Sequence, residues 1–237
     1  MRGYIRREVT RTNLARELVH FLKYPRHIVD IGGGRGSDTR WLAERHHEVV
    51  LADTDDDSLA EVQQHTYPML EDIISGDGAT VLERYGPEAF DMVLSHGTLL
   101  YSTEPKKDLA QTYQILNKGG YISLLTAGKF GKMRRFQRGG QSAALAKLLA
   151  TGKYVNKLGL EAVAYLPQEV DQLLTANGFK TEAWFGVRIF SDEDNRPVDE
   201  VPSLHKNRIL RHELDASRDS SLRPAGQLLH FIARKNT

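Results

Sequence analysis

The sequence predicts an α/β fold built on a doubly wound sheet, and two observations carry that prediction. Short apolar runs rich in Val, Ile and Leu alternate with segments whose apolar residues recur at helical spacing, as in strands joined by crossover helices. A glycine-rich turn follows the first apolar run, where such folds commonly bind a ligand. The chain has 237 residues, enough for one such domain with a small addition. We therefore expect a single domain over residues 1–237, with a basic cap inserted over residues 129–165.

Five apolar runs in the first half of the chain are expected to form buried strands. Each run is short and ends in Asp, Gly or Ser, a pattern that suits parallel strands. In order, the runs are HIVDIG (27–32), EVVLAD (48–53), EDIISGD (71–77), FDMVLSHG (90–97) and GYISLLTAG (120–128). Helical spacing predicts helices over 38–46, 57–66 and 106–118, with Gly119-Gly120 ending the last of these.

The last third of the chain predicts one more helix and two more strands. A helix is expected over 166–179, because Pro167 lies near its start and Gly178 near its end. Strands are expected over 180–192 and 227–235. The polar segment between these strands has a short apolar spacing at Leu204, Ile209, Leu210 and Leu214, which predicts a loop and a helix packed outside the sheet.

Composition and charge limit the possible partners. The chain has no cysteine, which removes disulfides and thiolate metal sites and favours a reducing, cytoplasmic location. No apolar stretch approaches the roughly 20 residues that span a bilayer, so we expect no membrane partner, and we predict no metal site. Between Asp108 and Glu161 there is no acidic residue, whereas nine Lys or Arg residues are present. This stretch is expected to attract an anionic partner.

The turn IVDIGGGRGSDTR (28–40) can be tested against three kinds of cofactor site. A phosphate-binding P-loop needs Gly-Lys-Ser/Thr, but Ser37 and Asp38 follow the last glycine. A dinucleotide fingerprint needs a third glycine where this sequence has Ser37 or Thr39, depending on the register. Asp53 ends the second strand about 20 residues downstream and suits the ribose of a dinucleotide or of an adenosyl cofactor.

Five motifs in order over residues 28–128 resemble the class I S-adenosylmethionine-dependent methyltransferases. They are the glycine turn, Asp53 closing the second strand, the Gly76-Asp77 pair closing the third, DMVLSHGTLLY at the fourth, and ILNKGGYISL leading into the fifth. The resemblance implies a seven-stranded mixed sheet with an antiparallel last strand and a helical cap after strand five. It also implies S-adenosyl-L-methionine as the cofactor, held by Asp30, Gly32, Gly33, Gly34, Gly36, Asp53, Thr54, Asp77, Gly78 and His96.

A closer similarity is to the bacterial family that methylates 5-carboxymethoxyuridine in tRNA. It rests on VLSHGTLLYSTEP, GVRIFSD and LLHFIARK, and it is weaker over 129–165 and 193–226. By this similarity Arg6 contacts the methionine carboxylate of the cofactor, although Arg6 could equally be one of several solvent-facing arginines. The family has Trp where this sequence has Tyr101, a departure that concerns the substrate pocket.

The methyl acceptor is left open between tRNA and an anionic small molecule, with a protein as a further alternative. Lys and Arg neutralise RNA phosphates, and RNA-binding proteins commonly add aromatic residues for stacking; Phe130, Phe136 and Tyr154 lie among the cations of the basic stretch. A basic lid over a carboxylate-bearing metabolite would have the same composition. The substrate-binding candidates are Tyr101, Lys129, Lys132, Arg134, Arg135 and Arg188.

Catalytic residues are the least determined part of the site. His96 and Tyr101 are candidates, because His96 ends the fourth strand and Tyr101 follows it closely. A carboxylate acceptor needs no general base, since its reactive oxygen carries no proton. A nucleotide-dependent oxidoreductase and a cofactor-binding module without catalysis are disfavoured alternatives. The sequence leaves the oligomeric state open.

Overall fold

The computed structural model describes residues 1–65, 67–156, 159–191 and 196–236. Contacts divide the chain into two compact units. The first unit comprises Met1–Glu17, Thr126–Val170 and Ala183–His230, and the second comprises Leu18–Leu125, Asp171–Glu182 and Phe231–Thr237. Lys157 of the basic stretch and Asp192 of the predicted strand over 180–192 lie outside the described residues.

The second unit contains the predicted parallel strands. They are β1 (His27–Ile31), β2 (Glu48–Asp53), β3 (Leu70–Ser75), β4 (Phe90–His96) and β5 (Leu116–Gly128), of which β5 continues into the first unit. Their order is β3-β2-β1-β4-β5, with parallel pairing throughout. Val49, Val50, Leu51 and Ala52 of β2 are all fully buried, as expected for a strand inside a parallel sheet.

Four helices alternate with these strands: α2 (Ser37–Ala43), α3 (Asp56–Gln63), α4 (Gly78–Tyr85) and α5 (Pro105–Ile115). The predicted end of the last helix at Gly119-Gly120 is wrong. Helix α5 ends at Ile115, and both glycines lie inside β5, where the pairing with β4 shifts register between Phe90 and Met92. Gly119 has φ +73°, so these glycines form an irregularity within the strand rather than a helix cap.

The first unit contains α1 (Arg2–Glu17) and a cap formed by α6 (Lys129–Arg138), α7 (Ser142–Thr151) and the antiparallel pair β6 (Lys153–Val155) and β7 (Glu161–Tyr165). The end of β5 pairs in parallel with β7 at Ala127 and Ala164. Helix α9 (Ser203–Arg218) lies against α1, where Asn13 Nδ2 donates to Ser217 Oγ (3.1 Å). The helical cap after strand five and the helix in the polar segment are thus both present.

Helix α8 (Pro167–Ala176) and strands β8 (Phe179–Val187) and β9 (Leu228–Lys235) complete the chain. Strand β9 pairs with β5 and with β8. It is antiparallel to β5, because Gly128 N donates to Gln227 O (3.0 Å) while Lys235 Nζ donates to Leu116 O (2.7 Å). Seven strands lie where they were predicted and the antiparallel last strand is confirmed, but β8 ends at Val187, short of the strand predicted over 180–192. Strands β6 and β7 are additional. Within the described residues no helix combines the length and apolar character needed to cross a membrane.

Candidate active site

The glycine turn after β1 has a backbone that other residues would adopt only with strain. Gly32, Gly34 and Gly36 have φ values of +71°, +53° and +66°. Gly33 is required for packing, since a Cβ atom there would lie 2.3 Å from Leu51 Cδ1 and 2.7 Å from the Asp30 carboxyl group. Glycine at these four positions therefore lets the turn lie directly over the ends of β1 and β2.

Asp53 at the end of β2 is held in one orientation by the backbone. Gly34 N donates to Asp53 Oδ2 (2.7 Å) and Asp55 N donates to Asp53 Oδ1 (2.9 Å). The carboxylate remains half-buried, and an ionised carboxylate accepts about four hydrogen bonds. Each oxygen can therefore accept a further hydrogen bond from a ligand.

Beneath the turn lies a buried set of titratable groups. Thr39 Oγ1 donates to Asp30 Oδ2 (2.7 Å), and burial, followed by the charge of Asp38, raises the pKa of Asp30 to about 6. His96 Nδ1 lies 3.0 Å from Asp38 Oδ2, and His96 Nε2 lies 2.8 Å from Ser123 Oγ. Both ring nitrogens of His96 are thus engaged within the protein.

A cleft of about 460 Å³ opens where β1 to β4 end, all within the second unit. Its volume falls in the range of small-molecule sites. Of the predicted residues, it is lined by Gly32, Asp53, Thr54, Asp77, Gly78 and Tyr101. Asp77 also caps α4, because its Oδ1 accepts from Ala79 N (2.9 Å) and Thr80 N (3.2 Å). The other predicted cofactor residues of this unit are not among the lining residues. Gly33, Gly34 and Gly36 belong to the adjoining glycine turn, and Asp30 and His96 belong to the buried set beneath that turn.

The cleft is also lined by Gly76 of the predicted Gly76-Asp77 motif, and by residues that sequence reasoning did not select as candidates. Those residues are Ile31, Ser95, Gly97, Thr98, Ser102, Asp108, Gln111 and Thr112. Asp108, Gln111 and Thr112 follow the i, i+3, i+4 spacing of one helix face, which was the available signal. Ser95, Gly97 and Thr98 surround His96, so they stand at the end of the predicted fourth strand.

The chemistry of the cleft fits a cationic, hydroxyl-bearing ligand. Among its described lining residues, Asp53, Asp77 and Asp108 are acidic and none is Lys, Arg or His. A dinucleotide pyrophosphate would meet three carboxylates there without a balancing cation. An adenosyl sulfonium compound carries positive charge and two ribose hydroxyl donors, so the donor set and the space above the glycine turn fit S-adenosylmethionine.

The cationic candidates lie in the first unit. A pocket of about 540 Å³ is lined by Arg2, Arg134, Arg135, Arg138, Gly139, Ile189, Phe190 and Gln227. The structure brings Arg134 and Arg135 together there, while Lys129 is the first residue of α6 and Arg6 lies in α1. Arg138 belongs to the basic stretch over 129–157 that was expected to orient an anion. Sequence reasoning missed Arg2, Phe190 and Gln227, which come from segments far apart in the chain. We call this cavity the arginine pocket.

Lys132 and Arg188 lie in the same electrostatic environment. Burial, and then the positive charges of Arg135, Arg188 and Arg2, lowers the pKa of Lys132 to about 7. The pKa of Arg188 is lowered to about 10, again mainly by burial and then by Arg2 and Arg135. Lys132 Nζ also lies 4.9 Å from the ring centroid of Tyr154. The fold thus holds several cations close together in the first unit.

Comparisons with known proteins agree with this geometry. Residues 29–124 match a family model described as a methyltransferase domain. The tRNA 5-carboxymethoxyuridine methyltransferase of Escherichia coli (strain K12) is 24% identical over 246 residues, covering 99% of this chain and 89% of that protein. A chloroplastic 2-methyl-6-phytyl-1,4-hydroquinone methyltransferase of Oryza sativa subsp. japonica is 28% identical over 100 residues, which cover 41% of this chain but only 30% of the rice protein.

A solved structure supports the same fold. The 1,6-didemethyltoxoflavin-N1-methyltransferase of Burkholderia thailandensis, with bound 1,6-didemethyltoxoflavin and S-adenosylhomocysteine, superposes with a TM-score of 0.60 at 19% identity, covering 97% of this chain and 79% of that one. The strand order, the methyltransferase domain model and the composition of the cleft lead to one conclusion. Residues 29–124 match a methyltransferase domain, the chain has the class I α/β methyltransferase fold, and the lining of the cleft fits S-adenosylmethionine as the methyl donor.

Proposed function

We propose that this protein transfers a methyl group from S-adenosylmethionine to the carboxylate of a modified wobble uridine in tRNA, in the cytoplasm. The observation that carries the proposal is the similarity to the Escherichia coli tRNA methyltransferase, which extends over 99% of the chain and so includes the cap as well as residues 29–124. The arginine pocket adds a second argument, because clustered Arg side chains favour carboxylate and phosphate ligands.

The proposal assigns a role to each part of the cofactor cleft. The oriented carboxylate of Asp53 accepts hydrogen bonds from the two ribose hydroxyls, with Thr54 beside it. Asp77 and Gly78 flank the adenine, and the turn from Gly32 to Gly36 holds the methionine part. Asp30 and His96 support the turn from below, and Arg6 pairs with the cofactor's carboxylate.

The mechanism needs little chemistry from the protein. S-adenosylmethionine supplies a sulfonium methyl group that is already electrophilic. The protein positions the acceptor carboxylate in line with that methyl group and excludes water. No proton leaves the attacking oxygen, so no general base is required. This agrees with a His96 whose two ring nitrogens are both engaged by Asp38 and Ser123. Tyr101 lines the cleft with 47% of its surface exposed, and we assign it to contact with the acceptor.

The test uses methyl-labelled S-adenosylmethionine and two tRNA preparations, one with and one without 5-carboxymethoxyuridine. We expect label in the first preparation only, and we expect mild alkali to release it, because a methyl ester is hydrolysed whereas an N-methyl or ribose O-methyl group is not. Equal labelling of both preparations, or alkali-stable label, would contradict the proposal.

A second candidate is O- or N-methylation of a small anionic metabolite. It is favoured by the fold shared with the Burkholderia enzyme, whose structure holds a small heterocyclic substrate. The same assay with a metabolite extract in place of tRNA distinguishes the candidates. Label found only in low-molecular-weight products would support the second.

A further inference from the structure

The arginine pocket has an aromatic wall. Phe190 lines it together with the four arginines, and 56% of the Phe190 surface is exposed. Phe130 in the first turn of α6 is also exposed, by 44%. Arginines beside an exposed ring are the combination that proteins use for unpaired nucleotides, whose bases stack on aromatic faces while cations hold the phosphates.

Three of the four arginines that line the pocket lie on α6. Arg138 follows Arg134 by four residues and Arg135 by three, which places it beside both of them on the helix surface. Arg134 donates a hydrogen bond to Ile189 O, next to Phe190, and so ties the helix to the aromatic wall.

A buried carboxylate, that of Glu213, contacts the segment that carries Phe190, and its oxygens are already occupied by hydrogen bonds within the protein. Glu213 is fully buried, and its oxygens accept hydrogen bonds from Ile189 N (2.8 Å), Phe190 N (2.9 Å) and Ser191 N (2.6 Å). Its role is to shape the segment that carries Phe190. Burial, and then the charges of neighbouring cations, lowers the pKa of Lys132 and of Arg188, and an entering anion would offset the repulsion between those cations.

Gln227, which lines the same pocket, has an acceptor that no protein group uses among the described residues. Its Nε2 donates to Gly131 O (2.6 Å), which fixes the amide orientation, and only 1% of the residue is exposed. Its Oε1 is buried and accepts no hydrogen bond from the described residues. A ligand for this pocket therefore combines an anionic group with an N–H or O–H donor, as a nucleotide does.

We propose that the arginine pocket binds one unpaired nucleotide of the RNA substrate. Its phosphate lies on Arg135 and Arg138, its base lies against Phe190, and Gln227 Oε1 accepts a hydrogen bond from the base or the ribose. The inference rests on the proposed RNA substrate and names the part of that substrate which this pocket recognises.

The first test measures binding of a short fluorescein-labelled single-stranded RNA by anisotropy at several KCl concentrations. Phe190→Ala is expected to weaken binding roughly 5- to 150-fold, the range for one lost stacking contact, whereas Phe190→Tyr keeps the ring and binds like the wild type. Arg138→Gln is expected to weaken binding and to reduce the slope of log K against log salt by about 1. The matched controls are Leu204→Ala and Arg211→Gln, two exposed positions on α9.

Thermal melting first confirms that each variant is folded. Phe190→Ala with wild-type affinity, Arg138→Gln with an unchanged salt slope, or a wild-type protein that does not bind the RNA would each overturn the inference. Inorganic phosphate that displaces the RNA, together with an RNA affinity that Phe190→Ala leaves unchanged, would show a plain anion site and would also overturn it.

The second test separates this inference from the proposed function. Methylation of tRNA and of the free 5-carboxymethoxyuridine nucleoside is compared in the wild type and in Phe190→Ala. We expect a raised KM for tRNA and an unchanged kcat/KM for the nucleoside. Unchanged KM for tRNA would refute the pocket while leaving the proposed function intact. RNA binding that depends on Phe190, without methylation of any RNA, would refute the proposed function instead.

Discussion

Asp53 shows how a single carboxylate can be oriented before it meets its ligand. Its position could be predicted from the sequence, because an acid at the end of the second strand of this kind of fold is placed beside the glycine turn. The backbone N–H groups of Gly34 and Asp55 that orient it could not be predicted, since they depend on the conformation of two loops.

Replacing Asp53 by Ala should weaken S-adenosylmethionine binding by about 1–3 kcal/mol, the value of a lost charge-assisted hydrogen bond. Isothermal titration measures the change. Asp57→Ala is the control, because Asp57 is an exposed acid in the first turn of α3. Equal affinities for Asp53→Ala and the wild type would place the ribose elsewhere.

Asp30 should make stability depend on pH. Its pKa is about 6 in the folded protein and near 3.8 when the chain is unfolded. Between these two pH values the folded protein binds more protons at Asp30 than the unfolded chain does. The free energy of unfolding therefore falls as pH rises from about 4 to about 6, and above about pH 6 Asp30 no longer makes it depend on pH. Asp30→Asn should remove that pH dependence. At pH 7 its free energy of unfolding should exceed that of the wild type by on the order of 1–3 kcal/mol, so it should unfold at a higher urea concentration.

Urea titrations of the wild type and Asp30→Asn at several pH values between 4 and 8 provide the measurement. Parallel pH profiles for the two proteins would show that Asp30 does not titrate in this range. Asn retains an oxygen to accept the Thr39 hydrogen bond, so the substitution tests the charge rather than the contact.

At the scale of elements, the sequence predicted the strands better than the helix ends. Periodicity identifies a strand from its apolar residues alone, and five of the parallel strands were found in this way. Gly119-Gly120 misled the prediction, because two adjacent glycines are as compatible with a strand irregularity as with a helix cap, and only the pairing of β4 with β5 distinguishes them.

Gly33→Ala tests the close packing of the turn on β2. The added Cβ would lie 2.3 Å from Leu51 Cδ1, a buried side chain that cannot move freely. We expect a loss of about 1–3 kcal/mol in unfolding free energy and weaker cofactor binding. Gly3→Ala in α1 is the matched control, since its Cβ meets only the flexible end of Arg7 at 3.5 Å, and it should be neutral or stabilising. Similar losses for both variants would argue against a packing role for Gly33.

Glu213 stabilises the segment after β8, and no pattern in the sequence singles it out. It lies in a polar segment with ordinary helical spacing, and its importance comes from three backbone N–H groups of the chain that follows β8. Glu213→Ala should lower the free energy of unfolding by roughly 3–5 kcal/mol, because it leaves those buried donors without acceptors. Glu213→Gln keeps one oxygen and should lose less. Equal losses in urea denaturation would contradict this account.

At the scale of the whole molecule, the position of the cofactor cleft could be predicted from the order of motifs along the chain. Which cations line the arginine pocket could not be predicted. Motifs that follow one another in sequence identify the cofactor cleft, because parallel strands end at one edge of the sheet. The arginine pocket draws residues from the beginning of the chain, from the cap and from the segment between β8 and β9. Nothing in the local sequence of Arg2 or Gln227 indicates that they line one cavity.

Ligand-induced stabilisation provides the test at this scale. S-adenosylhomocysteine at about 100 times its Kd should stabilise the protein by about 2.7 kcal/mol, which raises the Tm by roughly 5–10 °C for a chain of this size. NAD should leave the Tm unchanged, because its pyrophosphate would face the carboxylates of the cleft. A Tm shift with NAD, or none with S-adenosylhomocysteine, would contradict the assignment of the cofactor.

The acidic lining of that cleft also bears on turnover. Methyl transfer converts a sulfonium cation into a neutral thioether, so Asp53, Asp77 and Asp108 attract the incoming cofactor more strongly than the spent one. The cleft thereby favours exchange of product for fresh donor and limits product inhibition. Added salt should narrow the difference between the two affinities by screening the carboxylates.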